Sequence, residues 1–263
     1  MNIIDRGTGP ALVLIPGLQG RWEYMRAAVD ALSASFRVIT FSLGAGELDD
    51  LAQQVLNALD GKTIPRATIC GVSFGGLVAL RVAAAHADRC ERLVLASTPP
   101  PALRLRRRHE LYLKAPWLLG PLFVAETPFR LRHELRAAMP NPKDRRRFSL
   151  DALRTGLAAP VSIGAMASRA KLVLTDAAAR DCARVAAPTL IITGEAHLDY
   201  VVPVEGSAAY ERLIANARRA VLRETGHLGS MTRPREFAEL VRAFANDAGG
   251  TRRPSSASTD LVA

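Results

Sequence analysis

The sequence lacks the long apolar runs of a membrane-spanning protein, and its first residues lack the pattern of a secretory signal. None of its 263 residues lies in a run of about 18 or more consecutive apolar residues, which a membrane-spanning helix needs. The opening residues, MNIIDRGTGP, have neither the basic start nor the apolar stretch of a secretory signal. We therefore expect a cytoplasmic protein without a membrane span.

Cysteine is also scarce, with only three residues, Cys70, Cys90 and Cys182. They are widely spaced and match neither a zinc-binding pattern nor a disulfide framework. Their simplest interpretation is as small buried hydrophobic residues in a reducing compartment. No cluster of metal-ligating residues is recognisable elsewhere, so the sequence predicts neither a metal site nor an organic cofactor.

Charge is plentiful but unevenly distributed. The chain carries a net charge of +10, and the segment from Pro99 to Ala186 accounts for all of it, with 17 Arg and Lys against 7 Asp and Glu. No zinc finger, aromatic RNA-binding stretch or helix-turn-helix pattern accompanies these charges, so no nucleic-acid partner is expected. Two interpretations stay open: a positive lid that attracts an anionic small molecule, or a solvated arginine-rich face.

Strand and helix patterns alternate along most of the chain. Short, continuous apolar runs are typical of parallel strands that are covered on both faces. Such runs occur at Ala11–Ile15, Arg37–Phe41, Ala67–Val72, Arg92–Ala96, Thr189–Thr193 and near Arg219–Leu222. Helical spacing is found at Glu47–Leu59, Phe74–His86 and Pro234–Asp247. The pattern predicts an α/β fold, with a mostly parallel twisted sheet and helices on both faces.

The alternation is interrupted between Pro99 and Ala186, where proline-punctuated helical pieces replace the strands. We predict a core formed by residues 1–98 and 187–247, and a helical cap formed by residues 99–186. Apolar cap residues are candidates for the lining of a substrate pocket or for simple packing onto the sheet: Trp117, Leu118, Leu119, Leu122, Phe123 and Phe129. Residues 248–263 are rich in Gly, Ser and Thr and are predicted to be disordered.

The strongest chemical signal is a G-x-S-x-G motif at Gly71–Gly75, centred on Ser73. It follows an apolar strand and opens an apolar helix, which is the context that a nucleophilic serine requires. A serine in such a tight turn lies at a helix N-terminus, where negative charge is favoured. Ser73 is therefore the candidate nucleophile.

A serine hydroxyl needs a base, and the base needs an acid to orient it. His227 follows the last predicted strand and precedes the last helix, so it is the best placed of the five histidines. The loop after Thr189–Thr193 contains two carboxylates, Glu195 and Asp199. Asp199 is favoured because it stands four residues before Pro203, and Glu195 stays open as the alternative.

These motifs together resemble the α/β-hydrolase superfamily over nearly the whole chain. Four blocks match in order: Leu12–Gly17 is similar to the oxyanion loop, Gly71–Gly75 to the nucleophile elbow, Gly194–Pro203 to the acid loop, and Gly226–Phe237 to the histidine block. The chain order Ser, Asp, His is that of this fold. The resemblance implies that the backbone N–H groups of Leu18 and Phe74 form an oxyanion hole.

The chain departs from the family pattern in four places. Pro16-Gly17 replaces the usual His-Gly, so the oxyanion loop is expected to be held differently. The acid loop is about two residues longer than usual. There is room for at most one strand, near Asn2–Ile4, before the first parallel strand, and residues 42–47 lack the usual Asp-x-Arg-Gly-x-Gly pattern.

The sequence therefore predicts a serine hydrolase that cleaves a carboxylic ester or a related acyl bond of a small-molecule substrate. Carbon–carbon bond hydrolysis and acyl transfer use the same three residues and stay open. So does a ligand-binding role without catalysis, because one fold hosts many functions. Nothing in the sequence indicates the oligomeric state.

Overall fold

Strands and helices alternate along the chain as the sequence pattern predicts. The computed structural model describes residues 1–101, 126–175 and 177–247. In those residues the strands are β1 Ile3–Arg6, β2 Ala11–Ile15, β3 Arg37–Phe41, β4 Ala67–Val72, β5 Cys90–Ala96, β6 Thr189–Thr193 and β7 Ala217–Val221. The predicted strand ends agree with these to within about two residues, the usual uncertainty of element boundaries.

The helices of the described residues lie between these strands. They are α1 Arg26–Leu32, α2 Leu48–Asp60, α3 Phe74–Ala85, α4 Thr127–Ala138, α5 Pro142–Ala158, α6 Ile163–Leu172, α7 Ala177–Cys182, α8 Val204–Leu213, α9 Gly229–Thr232 and α10 Pro234–Asn246. Helix α1, which follows a short 3₁₀ turn at Trp22–Met25, has no counterpart among the predicted helices. Helices α2, α3 and α10 confirm the three predicted ones.

The strands of the described residues form one sheet in the order β1-β3-β2-β4-β5-β6-β7. Strand β1 is antiparallel to β3, and every other neighbouring pair is parallel. From β2 the chain first moves to β3 on one side and then to β4 on the other. This reversal creates a topological switch point at the carboxyl ends of β2 and β4, where α/β proteins bind their ligands.

Two hydrophobic clusters cover the two faces of the sheet. One face packs against α2 and α3, and the other packs against α1 and α10. Side chains of β2 alternate between the clusters, because Val13 lies in the first and Leu12 and Leu14 lie in the second. Helix α3 is buried almost all round, which explains why its sequence is apolar on every face.

The insertion between β5 and β6 is helical in its described part, with α4 to α7. Helix α5 has no buried residue, and Leu150, Leu153 and Leu157 are exposed on it. Phe129, one of the predicted pocket residues, is 65% exposed and stacks under the guanidinium of Arg132. The other five predicted pocket residues, like the tail 248–263, lie outside the described residues. The division into core and cap stays a prediction.

The three cysteines are buried and form no disulfide, as the sequence predicts. Burial raises the pKa of the Cys90 thiol and of the Cys182 thiol to about 12 each, so both are protonated at neutral pH. In the described ranges, no helix combines the length and the apolar character needed to cross a bilayer. The cytoplasmic location stays a prediction.

Candidate active site

Ser73 lies in the turn between β4 and α3, at the switch point of the sheet. Its φ of 53° is in the left-handed region, which is strained for a residue with a side chain. The N–H of Ser73 donates a 2.8 Å hydrogen bond to the carbonyl of Ala96 on the neighbouring strand. Gly71 and Gly75 must lack a side chain here, because a Cβ on either would collide with backbone oxygens, of Gly75 and Ile15 respectively. The motif therefore folds as the tight strand-to-helix turn that its sequence predicts.

His227 follows β7 on a loop that returns to the same edge of the sheet. Its Nε2 lies 3.0 Å from the Oγ of Ser73. Its Nδ1 lies 3.5 Å from Oδ2 of Asp199, which is ion-pair range. The structure thus brings together, in the predicted order, the three residues that the sequence predicts as nucleophile, base and acid.

Asp199 lies on the loop after β6, and its side chain is 2% exposed. Its Oδ1 accepts hydrogen bonds from the N–H groups of Val201 and Val202, at 2.9 and 2.8 Å. Burial works to raise the pKa of the Asp199 carboxyl, but the contact with His227 and the two N–H donors bring this pKa below its ordinary value. Asp199 is therefore held as a carboxylate beside the imidazole.

Glu195, the alternative acid, points elsewhere. Its Oε1 accepts a hydrogen bond from the N–H of Glu224, and its Oε2 lies 3.6 Å from Nε2 of His197. In this loop, it is therefore Asp199, and not Glu195, that lies against His227.

The charge environment favours protonation of His227. Burial works to lower the pKa of His227, but the close contact with Asp199 and its negative charge, together with the charge of Glu134, raise it above its ordinary value. An imidazole in this environment readily accepts a proton from a neighbouring hydroxyl and is stabilised as a cation.

The loop after β2 closes the site on the other side of Ser73. A Cβ placed on Gly17 would lie 3.3 Å from the Cβ of Ser73, so this backbone runs directly beside the serine. Leu18 follows on the same loop. Phe74 is the first residue of α3, and the N–H groups of the first helical turn have no partner within the helix. Both predicted oxyanion residues therefore flank Ser73.

The loop is held by Arg169, a residue that no sequence motif indicates. Arg169 belongs to α6 of the insertion and is only 5% exposed. Its guanidinium donates to the carbonyls of Leu18, Leu43 and Gly44 at 3.0, 2.7 and 3.0 Å. Burial lowers the pKa of Arg169. Arg169 therefore links α6 to the loop after β2 and to the loop after β3.

A second unexpected residue is Glu134, on α4 of the insertion. It is fully buried, and its Oε1 accepts a 2.6 Å hydrogen bond from the N–H of Leu228, which directly follows His227. Its sequence neighbours, Arg132 and Arg136, are exposed, so the local sequence resembles a solvated helix. No sequence signal distinguishes Glu134 from other surface carboxylates.

Comparison with known proteins shows the family to which the chain belongs. A family profile described as "alpha/beta hydrolase fold" matches residues 10–234. The chain belongs to the alpha/beta hydrolase fold family. Relatives named as hydrolases and esterases match it over nearly its whole length, so it is an enzyme of the hydrolase type.

Two of these relatives and one solved structure illustrate the range of activities. The pimeloyl-[acyl-carrier protein] methyl ester esterase of Nitrosomonas europaea is 25% identical, with 93% of this chain and 99% of that protein aligned. The 2-hydroxymuconate semialdehyde hydrolase of Pseudomonas sp. (strain CF600) is 27% identical, with 94% and 90% aligned. The enol-lactonase structure from Burkholderia xenovorans LB400 superposes with a TM-score of 0.73 at 22% identity, covering 93% of this chain and 95% of that one.

Proposed function

We propose that the chain is a serine hydrolase that cleaves a carboxylic ester or a related acyl bond of a small-molecule substrate. Ser73 is the nucleophile, His227 is the general base and Asp199 is the acid behind it. The observation that carries the proposal is the 3.0 Å contact between Nε2 of His227 and Oγ of Ser73. That distance is within the range in which a base abstracts a proton directly.

The reaction proceeds in two halves. Oγ of Ser73 attacks the carbonyl carbon while its proton passes to Nε2 of His227, and the carbonyl oxygen becomes negative. The tetrahedral intermediate collapses, the leaving group takes the proton from His227, and an acyl-enzyme stays on Ser73. A water molecule then gives its proton to His227 and attacks the acyl group, and Ser73 recovers its proton. Asp199 stabilises the imidazolium in both halves.

The negative oxygen of the intermediate is assigned to the N–H groups of Leu18 and Phe74. Each such donor typically lowers the barrier by about 3 kcal/mol. The N-terminal end of α3 lies at the same place, and its partial positive charge also favours the negative oxygen. Because backbone groups supply these bonds, the side chains of Leu18 and Phe74 shape the pocket and do not carry the charge.

Carbon–carbon bond hydrolysis is a second candidate, since a relative of comparable identity is named as a 2-hydroxymuconate semialdehyde hydrolase. The same three residues serve that reaction, so the bond that is cleaved must be found by experiment. Ester or acyl hydrolysis is favoured because three relatives are named as pimeloyl-[acyl-carrier protein] methyl ester esterases.

The test is hydrolysis of a panel of p-nitrophenyl esters, from acetyl to decanoyl, by the wild type and by Ser73→Ala. We expect turnover by the wild type and a loss of about 10⁵-fold or more in the variant, as for other serine hydrolases that lose their nucleophile. A second measurement is labelling by a fluorophosphonate, which should modify Ser73 alone.

Equal rates in the two proteins would remove Ser73 from the mechanism. Labelling of Ser73 without ester turnover would favour the carbon–carbon reaction or another specialised substrate. An absence of both labelling and turnover would favour a ligand-binding role, because the reagent needs an activated serine and not a particular substrate.

A further inference from the structure

Glu134 introduces a third carboxylate into the surroundings of His227. Helix α4, which carries it, belongs to the insertion, whereas Asp199 and His227 lie on loops of the sheet core. The carboxylate reaches across to the histidine loop and accepts the N–H of Leu228 at 2.6 Å. Burial raises the pKa of the Glu134 carboxyl above its ordinary value, while the nearby N–H groups of Gly226 and Leu228 and the charge of His227 work to lower it.

Burial of a carboxylate lowers the stability of a protein unless its oxygens are paired, so we expect a buried carboxylate to have a function. Glu134 is fully buried, and no donor among the described residues reaches its Oε2. A neutral amide would satisfy the N–H of Leu228 equally well if loop geometry were all that mattered. A negative charge at this position would stabilise a positive neighbour, and in the proposed mechanism the ring of His227 becomes positive during catalysis.

We propose that Glu134 is a positioning residue for His227: it clamps the backbone directly after the histidine and contributes a second negative charge that favours the imidazolium. The inference rests on the proposed role of His227 as base. It assigns part of the histidine environment to the insertion, in addition to Asp199 from the core.

The groups around His227 are few in the described part of the chain. Ser73 faces Nε2, Asp199 faces Nδ1, and Glu134 lies behind the backbone. Helix α4 also carries His133, whose ring centroid is 5.7 Å from that of Tyr200 on the acid loop. Among these groups, Asp199 and Glu134 are the two that raise the pKa of His227.

The first experiment is an NMR titration of the His227 ring in the wild type and in Glu134→Gln, with the signal assigned by its loss in His227→Ala. Glutamine keeps an acceptor oxygen but not the charge. We expect the protonation constant of His227 to fall about threefold to tenfold. Glu239→Gln, which removes an exposed carboxylate of α10, is the matched control and should leave the titration unchanged. An unchanged titration in Glu134→Gln would overturn the electrostatic part of the proposal.

The second experiment measures the rate of fluorophosphonate labelling against pH. Glu134→Gln should keep the plateau within about threefold and shift the acid limb to lower pH. Glu134→Ala, which also removes the acceptor, should lower the plateau about tenfold to hundredfold because the histidine loop loses its clamp. Equal plateaus for Glu134→Ala and the wild type would overturn the clamping part.

The design separates this inference from the proposed function. If the wild type is not labelled at all, the serine mechanism fails, while the ring titration still reports on Glu134. Should Glu134→Gln fold poorly, the wild type itself provides a test. The amide proton of Leu228 should be shifted downfield and protected from exchange, as expected for a short bond to a carboxylate. An ordinary, freely exchanging Leu228 amide would contradict the proposal.

Discussion

The sheet core and the insertion carry their charges in different places. The predicted insertion, residues 99–186, holds the whole net charge of +10, and most of its charged side chains that lie in the described residues are exposed. Yet three charged residues of the insertion, Glu134, Arg169 and Asp181, are buried as whole residues, whereas in the core the side chain of Asp199 is 2% exposed. The core carries the three proposed catalytic residues on loops at one edge of the sheet.

The difference shows how an arginine-rich insertion is fixed to a neutral core. Glu134 contacts the loop of His227, Arg169 contacts Leu18 on the loop after β2, and Asp181 lies 3.0 Å from Nε of Arg81 on α3. Two of these three contacts reach loops of the candidate site. The insertion therefore contacts the candidate site through a few buried polar groups, while its exposed charges in the described residues face the solvent.

The largest effect on activity is expected from a substitution in the sheet core. Asp199→Asn should lower kcat by about 10⁴-fold, the loss seen in the serine-protease template when the acid becomes an amide and the imidazole adopts the wrong tautomer. Hydrolysis of the best ester from the panel provides the measurement. Glu195→Gln in the same loop is the matched control and should stay within about threefold, since that side chain does not contact His227. A larger loss in Glu195→Gln than in Asp199→Asn would reverse the assignment of the acid.

A substitution in the insertion should have a smaller effect on activity, but it should also lower the stability. Arg169→Met should lower the free energy of unfolding by about 2–4 kcal/mol, because three carbonyls, of Leu18, Leu43 and Gly44, lose a charged donor that is itself buried. It should also lower kcat, because the carbonyl of Leu18 is no longer held. Denaturant unfolding and ester turnover are the measurements.

Lys171→Met is the control for this change, because Lys171 lies on the same helix and is exposed. It should change the free energy of unfolding by less than about 0.5 kcal/mol. If Arg169→Met is as stable and as active as Lys171→Met, the insertion does not brace the oxyanion loop.

The pH profile tests core and insertion together. His227 acts as a base only when neutral, so kcat/KM should fall about tenfold per pH unit below the pKa of its ring. Because Asp199 and Glu134 raise that pKa, the acid limb should lie above about pH 6.5, the ordinary value for histidine. An acid limb clearly below that value would show that burial outweighs the two carboxylates.

The sequence predicts the core better than the insertion, for a physical reason. A parallel strand covered on both faces is continuously apolar, and a nucleophile elbow needs glycines at fixed offsets, so both leave a local pattern. Ser73, Asp199 and His227 are therefore predictable from local patterns and their order along the chain. Burial of Glu134 and Arg169 depends on which loop each one meets in three dimensions, and that information is not local.

The smallest effect concerns the exposed charge of the insertion. Arg147 and Arg154 on α5 are 86% and 76% exposed in their side chains, and both lie near Asp151 of the same helix. At 0.1 M salt, the effect of an exposed charge decays over about 10 Å, so these residues should have little influence on a buried site. We expect kcat/KM for an anionic ester and for its neutral analogue to change equally, within about twofold, between about 20 mM and about 300 mM salt. A steep loss for the anionic ester alone would instead show that the insertion attracts an anionic substrate, and would extend its role from shaping the site to selecting what enters it.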